Sequence, residues 1–298
     1  MAIPSTYRSS STVYNKESMS QIYVTKADGE REQFQEEKLD ASLRKAGAST
    51  DARRSIVAHI LRELQDGMTT EDIYRHAFEL LKRGDAAPVA ARYSVKRAVF
   101  ALGPSGYPFE RFFASVLSAH GWKTRTGVAL SGRCAPHEVD VLAEKDGRRI
   151  GIEAKFHNDP AGRTDIKDAL YVYARYEDLK KSPDRHSRVD EGWLVTNTRF
   201  TRNAIRYGQC ANLAMIAWDY PRDRGLHSMI ESANVHPLTC LTTLTEGEKR
   251  VLLERNIVLC KDVRVPGVLQ ENGVRPHHID RIMDEATRLC TPFGPDTR

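Results

Sequence analysis

Long apolar runs are missing from this 298-residue chain. No stretch approaches the roughly 18 apolar residues that a bilayer-spanning helix needs. Met1 to Ser20 is polar and serine-rich, without the apolar centre of an export signal. Neither membrane insertion nor export is expected, and a cytoplasmic location is. Cysteine is scarce: Cys134, Cys210, Cys240, Cys260 and Cys290 make an odd number at wide spacing. The histidines are dispersed apart from His277-His278, so neither a disulfide framework nor a Cys/His zinc site is expected. A glycine-rich phosphate loop is also lacking, which argues against ATP hydrolysis by a P-loop route. There is no internal repeat and no low-complexity segment. Neither sign of charge dominates, since 45 Lys and Arg against 40 Asp and Glu leave a net charge of +5. That mild excess permits a nucleic-acid partner without requiring one.

What is present is a globular composition, 40% hydrophobic and 29% charged, long enough for roughly two domains at about 150 residues each. The pattern divides the chain. Residues 1–20 read as a disordered arm. Ile22 to Lys26 and Arg31 to Phe34 flank Asp28-Gly29, a strong hairpin signal. Helical spacing follows in Leu39, Leu43 and Ala46, in Ile56, Ile60 and Leu64, and in Ile73, Ala77, Leu80 and Leu81. A fourth helix is expected over 86–101, so residues 21–102 form a hairpin-plus-helices domain. Gly103-Pro104-Ser105-Gly106 is a short linker. Beyond it helices and strands alternate: a Phe-rich helix ending at Gly121, strands at Val139 to Ala143, Ile150 to Phe156, Trp193 to Thr196 and Leu213 to Ala217, and helices near 165–179 and 202–209. Residues 106–222 are expected to be an α/β domain around one sheet. Residues 237–298 read as a small helical unit.

The stretch from His137 to Phe156 carries the most chemistry. With Asp146-Gly147 as a two-residue turn, residues equidistant from it face each other. Val139, Val141 and Ala143 then oppose Ala154, Ile152 and Ile150 on one apolar face. The other face sets Asp140 directly opposite Glu153, with Lys155 two residues on. Like charges so placed repel. Two arrangements offset the repulsion: a divalent cation held by oxygen ligands, or a solvated face on which Lys155 neutralises Glu153.

Four segments extend this reading: Gly106-Tyr107-Pro108-Phe109-Glu110-Arg111-Phe112, Glu138-Val139-Asp140, Ile152-Glu153-Ala154-Lys155, and Val195 to Thr201 leading into a helix. Together they resemble the PD-(D/E)xK nuclease superfamily, most closely its Mrr-like, type IV restriction endonuclease group, over residues 106–220. The resemblance implies a restriction-endonuclease-like α/β core with a mixed sheet and a Mg²⁺- or Mn²⁺-dependent phosphodiesterase acting on DNA. It assigns Asp140 and Glu153 to metal, Lys155 to the attacking water or scissile phosphate, and Glu110 to a supporting acid. Val139 stands where the superfamily name has proline. The stretch from Asp165 to Tyr171 departs from the group, and its polar residues are left without roles.

The first domain resembles an ATP-cone, a small regulatory module, through Val24 to Gly29, Phe34, Lys38-Leu39, Lys45-Ala46-Gly47, Thr70 to Ile73 and Val89 to Tyr93. That resemblance implies ATP or dATP as a regulatory ligand, held about Val24, Lys26, Arg31 and Lys38. Cations beside free backbone N–H groups suit polyphosphate. Ala27 replaces a residue that is usually basic, and Arg31 lies on the facing strand. The residues from Leu241 onward resemble helix–hairpin–helix or sterile-alpha-like units weakly, and a helical cap on the sheet is the plainer expectation. The whole reads as a DNA endonuclease tuned by nucleotide and working as a homo-oligomer. The alternatives are a nucleotide-sensing DNA-binding regulator that does not cut, and a nuclease acting on RNA.

Overall fold

A computed structural model describes residues 22–83 and 87–291. The expected arm at 1–20 lies outside the described residues. The chain opens with β1 (Tyr23–Thr25) and β2 (Arg31–Gln33), an antiparallel hairpin. Its loop is closed by Lys26 N–H donating to the Glu30 carbonyl at 2.9 Å, and Gly29 takes a positive φ of 79° there. α1 (Glu36–Lys45), α2 (Thr50–Glu63) and α3 (Thr70–Arg83) follow. Their apolar residues recur at helical spacing and pack as one small core with Val24, Leu43, Ile60 and Ala77 at its centre. The single helix expected over 86–101 is two, α4 (Ala87–Tyr93) and α5 (Val95–Phe100), broken at Ser94, whose hydroxyl bonds back to the Ala91 carbonyl at 2.7 Å.

The second module begins at α6 (Tyr107–Ala119) and holds a five-stranded mixed sheet in the order β3 (Lys123–Ser131), β4 (Pro136–Lys145), β5 (Arg148–Lys155), β7 (Glu191–Thr196), β9 (Ala214–Ile216). The first three strands are antiparallel neighbours, and β5, β7 and β9 run parallel. Right-handed crossovers are the rule for parallel pairs, and the connections here carry α7 (Ile166–Lys180) and α8 (Arg202–Ala211). Sequence reading misses β3. It is an edge strand whose half-solvated Lys123-Thr124-Arg125-Thr126-Gly127 run shows no apolar stripe. It also misses β6 (Arg163–Thr164) and β8 (Arg199–Phe200), a short parallel pair beyond the ends of β5 and β7.

Helices cover both sheet faces. α6 lies on the face of Val141, Ala143, Ile150 and Ile152, whereas α7 and α8 cover Leu142, Leu194 and Met215. Gly151 and Gly192 are register partners on β5 and β7. A Cβ at either would come within 2.2 Å of the Tyr176 ring, so the glycine pair forms the slot that seats α7 on the sheet.

The last segment runs through α9 (Leu226–Ala233), α10 (Glu246–Glu254), α11 (Val268–Glu271) and α12 (Pro276–Cys290). Its apolar residues, including Leu252, Ile282 and Leu289, are continuous with the core beneath α6. Two contacts fix it. Buried Glu285 accepts four bonds of 2.6–2.9 Å from the backbone and hydroxyls of Thr242 and Thr243. Buried Arg92, from α4, donates at 3.0 Å to the carbonyls of Leu289 and Thr291 at the end of α12, where a cation meets the negative helix end. Among the described residues no helix is long and apolar enough to cross a membrane.

Candidate active site

The Asp146-Gly147 turn forms as expected, with φ of 51° and 77° at its two residues. The register is also the expected one from Lys145↔Arg148 to Val141↔Ile152. There the ladder stops, one pair short of Asp140 opposite Glu153. Ala154 N–H, which a continued ladder would give to a backbone carbonyl, instead donates to Asp140 Oδ2 at 2.7 Å. On the other side of β4, Gly127 takes a φ of 60° at the one register position where β3 and β4 lose their pairing, beside Asp140. The strand is therefore kinked at Asp140. Val139 packs with the α7 side of the sheet and not with Val141 and Ala143, which corrects the uniform apolar face read from the sequence.

The kink turns Asp140 toward the carboxyl ends of β5 and β7, where acidic and basic groups gather. Glu153 is 7% exposed. Burial and the charge of Asp140 push its carboxyl above the usual range, against the pull of Arg175 and Lys155. Asp140 is also shifted upward, by burial, and is opposed by its bond from Ala154 and by Arg175 and Lys155. Glu110 comes from the first turn of α6. Burial, then the charges of Asp140, Glu138 and Glu153, push it up to about 7. Three carboxyl groups with raised pKa values at one place mean negative charge that the protein alone leaves incompletely balanced.

Lys155 Nζ stands 3.6 Å from Glu153 Oε1 and 3.6 Å from Asp168 Oδ1. Asp168 lies in the stretch left without roles in the sequence. It closes a capping box with Asp165 at the start of α7 and at the same time anchors the lysine. Arg175, also missed, is two helical turns further along α7. It pairs with Glu153, donates to the Glu138 carbonyl at 3.0 Å and reaches the Tyr171 hydroxyl. The spacing of Asp168, Tyr171 and Arg175 on one helical face was the available signal. His157 is half-buried and tied to Thr164 Oγ1 at 2.9 Å, and its backbone exchanges two bonds with the buried side chain of Asn197. Burial lowers its pKa.

No three His, Cys, Asp or Glu side chains among the described residues stand close enough to hold a metal ion by themselves. The donor set nevertheless suits Mg²⁺, which takes one or two carboxylates and completes its shell with water and phosphate oxygens. Asp140 and Glu153 are hard oxygen donors, and a cation near them would offset the negative charge that, after burial, raises Glu110.

In the first module, Lys26 and Lys38 are brought together on Glu32, at 2.9 and 3.2 Å. Lys26 also reaches Glu30 at 3.4 Å. Val24, the register partner of Glu32, is buried in the core of this module. Arg31 does not join this group. It alternates to the other face of the hairpin and pairs with Asp66 at 2.6 Å, so it does not stand in for the basic residue absent at Ala27.

Comparison with known proteins follows this division. Residues 22–99 match the ATP cone domain, residues 103–222 match the restriction endonuclease (Mrr catalytic) domain, and residues 236–290 match the AF1548-like C-terminal domain. An uncharacterized protein of Archaeoglobus fulgidus is 36% identical over 181 residues, which are 59% of this chain and 98% of that protein. The crystal structure of a protein of unknown function, AF1548, matches with 33% identity and a TM-score of 0.53 over 62% of this chain and 98% of that one. The chain belongs to the AF1548-like family. It carries an ATP cone domain and a Mrr-type restriction endonuclease domain, and its core is nuclease-like. About two-fifths of this AF1548-like chain has no counterpart in either relative.

Proposed function

We propose that this AF1548-like protein is a divalent-metal-dependent DNA endonuclease whose cutting is set by ATP or dATP at its ATP cone. The observation that carries the reading is the convergence of Glu110, Asp140 and Glu153, all with raised pKa values, beside Lys155 at the carboxyl ends of β5 and β7. In this reading Asp140 and Glu153 are the ligands of Mg²⁺ or Mn²⁺. When bound, the ion supplies positive charge that polarises the scissile phosphate and makes a nearby water more acidic. Lys155, anchored by Asp168, holds the attacking water or stabilises charge on the phosphate. Glu110, poised near neutral pH, accepts or returns a proton.

The nucleotide part rests on the ATP cone match and on Lys26 and Lys38 meeting at Glu32, which a polyphosphate would displace. One core cuts one strand, so a double-strand break calls for a second copy of the chain, and the reading includes a homo-oligomer. The domain limits proposed are 21–102, 106–222 and 237–298. Plasmid nicking with Mg²⁺ or Mn²⁺, with and without ATP and dATP, tests the activity, and light scattering under the same conditions tests the assembly. The hold of Arg175 on Glu153 favours a second reading, a DNA-binding regulator that does not cut. DNA binding without nicking under any of these conditions would select it.

A further inference from the structure

Asp28 sits at the tip of the first hairpin, yet its side chain is only 10% exposed. The second module covers it. Arg163 Nη2 donates to Asp28 Oδ2 at 2.9 Å, and Arg199 Nη2 donates to the same oxygen at 3.3 Å. The two arginines are register partners, each the first residue of its strand in the β6–β8 pair. Their position is tied to the candidate active site from two directions. β6 leads through Thr164 directly into the cap of α7, whose Asp168 holds Lys155. β8 follows β7 by two residues, and β7 ends at Thr196, the register partner of Lys155. Both arginines therefore stand beyond the sheet end that carries Glu153 and Lys155.

A polyanion approaching that end meets the carboxyl groups of Glu110, Asp140 and Glu153 and needs cations to offset them. Most protein–DNA hydrogen bonds go to phosphate and sugar, and they set position without reading sequence. A side-by-side arginine pair suits that role, because guanidinium forks match phosphate oxygens. A single carboxylate balances only one of two guanidinium charges. We propose that Arg163 and Arg199 are DNA-backbone contacts of the restriction endonuclease module, and that Asp28 of the ATP cone masks them until its hairpin loop moves. This rests on the nuclease reading and supplies the contact through which the nucleotide module acts on the DNA-facing one. The loop that carries Asp28 is closed by Lys26 and Glu30, and the ammonium of Lys26 is held by Glu30 and Glu32. Phosphates drawn to Lys26 and Lys38 displace those carboxylates and so act on the masking loop. The masked and unmasked arrangements must differ in nucleotide affinity for the shift to occur.

The test uses the full chain without nucleotide, in EDTA, with a short labelled DNA duplex followed by fluorescence anisotropy over a range of salt. Asp28→Asn removes the charge and keeps the acceptor that bonds the Glu30 N–H. Two regained phosphate contacts predict a salt dependence steeper by about 1.8 in log–log slope and binding roughly tenfold tighter at low salt. Asp28→Ser should behave alike. Arg163→Ala or Arg199→Ala placed in the Asp28→Asn protein should each remove about half of the gained slope. Unchanged affinity and slope in both Asp28 variants, with the wild-type chain binding DNA, overturns the masking and leaves the nuclease reading standing. Arginine variants that bind as tightly as their parent overturn the contact itself. Failure of every protein to bind the duplex overturns this inference, and plasmid nicking with Mg²⁺ or Mn²⁺ decides the nuclease reading separately.

Discussion

Two hairpins built on the same Asp-Gly signal handle charge in opposite ways. In β1–β2, Lys26 and Lys38 share Glu32, Arg31 has Asp66, and the pairs are partly or largely open to water. In β4–β5, Asp140 and Glu153 are withdrawn from water, and Glu110 is pushed up to about 7 beside them. Exposed pairs contribute about 0–1 kcal/mol, because water screens them and two long side chains must be ordered. Withdrawn like charges cost more, and a chain that keeps them has them available for a cation or a proton. The first hairpin is poised to exchange partners at little cost. The second is poised to gain one.

The largest expected difference is in chemistry. Asp140→Ala, Glu153→Ala and Lys155→Ala should each lower nicking by roughly 10³-fold or more, and calorimetry should show metal binding lost with either carboxylate but retained in Lys155→Ala. Nicking at the wild-type rate by any of the three would end the assignment of that residue. Stability comes next. Removing Glu153 relieves repulsion with Asp140 but strands Arg175, which is 12% exposed, so Glu153→Ala without metal should lose roughly 1–3 kcal/mol. Glu153→Ala with Arg175→Met should recover part of that loss, measured by urea unfolding.

The pH dependence follows from Glu110. Its folded pKa of about 7 lies above its ordinary value of 4.5, so between those pH values the folded state holds a proton that the unfolded state gives up. The stability it contributes is present below about 4.5 and is lost as pH rises through about 7. Because the group is only about half withdrawn from water, the effect should be on the order of 1–2 kcal/mol after solvent screening. Glu110→Gln should flatten the metal-free stability profile over this window. A profile as steep as wild type would place the titration elsewhere.

The smallest effect belongs to the first hairpin. Lys38→Ala should change stability by less than about 1 kcal/mol, since its pair with Glu32 is solvent-exposed. It should nevertheless abolish the rise in melting temperature with ATP or dATP. A large loss of stability with nucleotide stabilisation intact would reverse the comparison and make the Lys26–Glu32–Lys38 group structural.

Local signals carried much of this protein. The turn at Asp146-Gly147, the register down to Val141 opposite Ile152, the helical spacing of the first module and the alternation of the second are written in neighbouring residues, because period, turn chemistry and capping act over a few positions. Tertiary structure alone decided the rest. Asp140 turns out of the ladder because a kink shared with Gly127 on a neighbouring strand ends the pairing there. Arg175 reaches Glu153 because Gly151 and Gly192, 41 residues apart in the chain, leave a slot for Tyr176 that sets the height of α7. Asp28 meets Arg163 and Arg199 because two modules with separate patterns pack against each other. Each of these depends on charge and volume brought together from distant parts of the chain, and no spacing within a single segment encodes them.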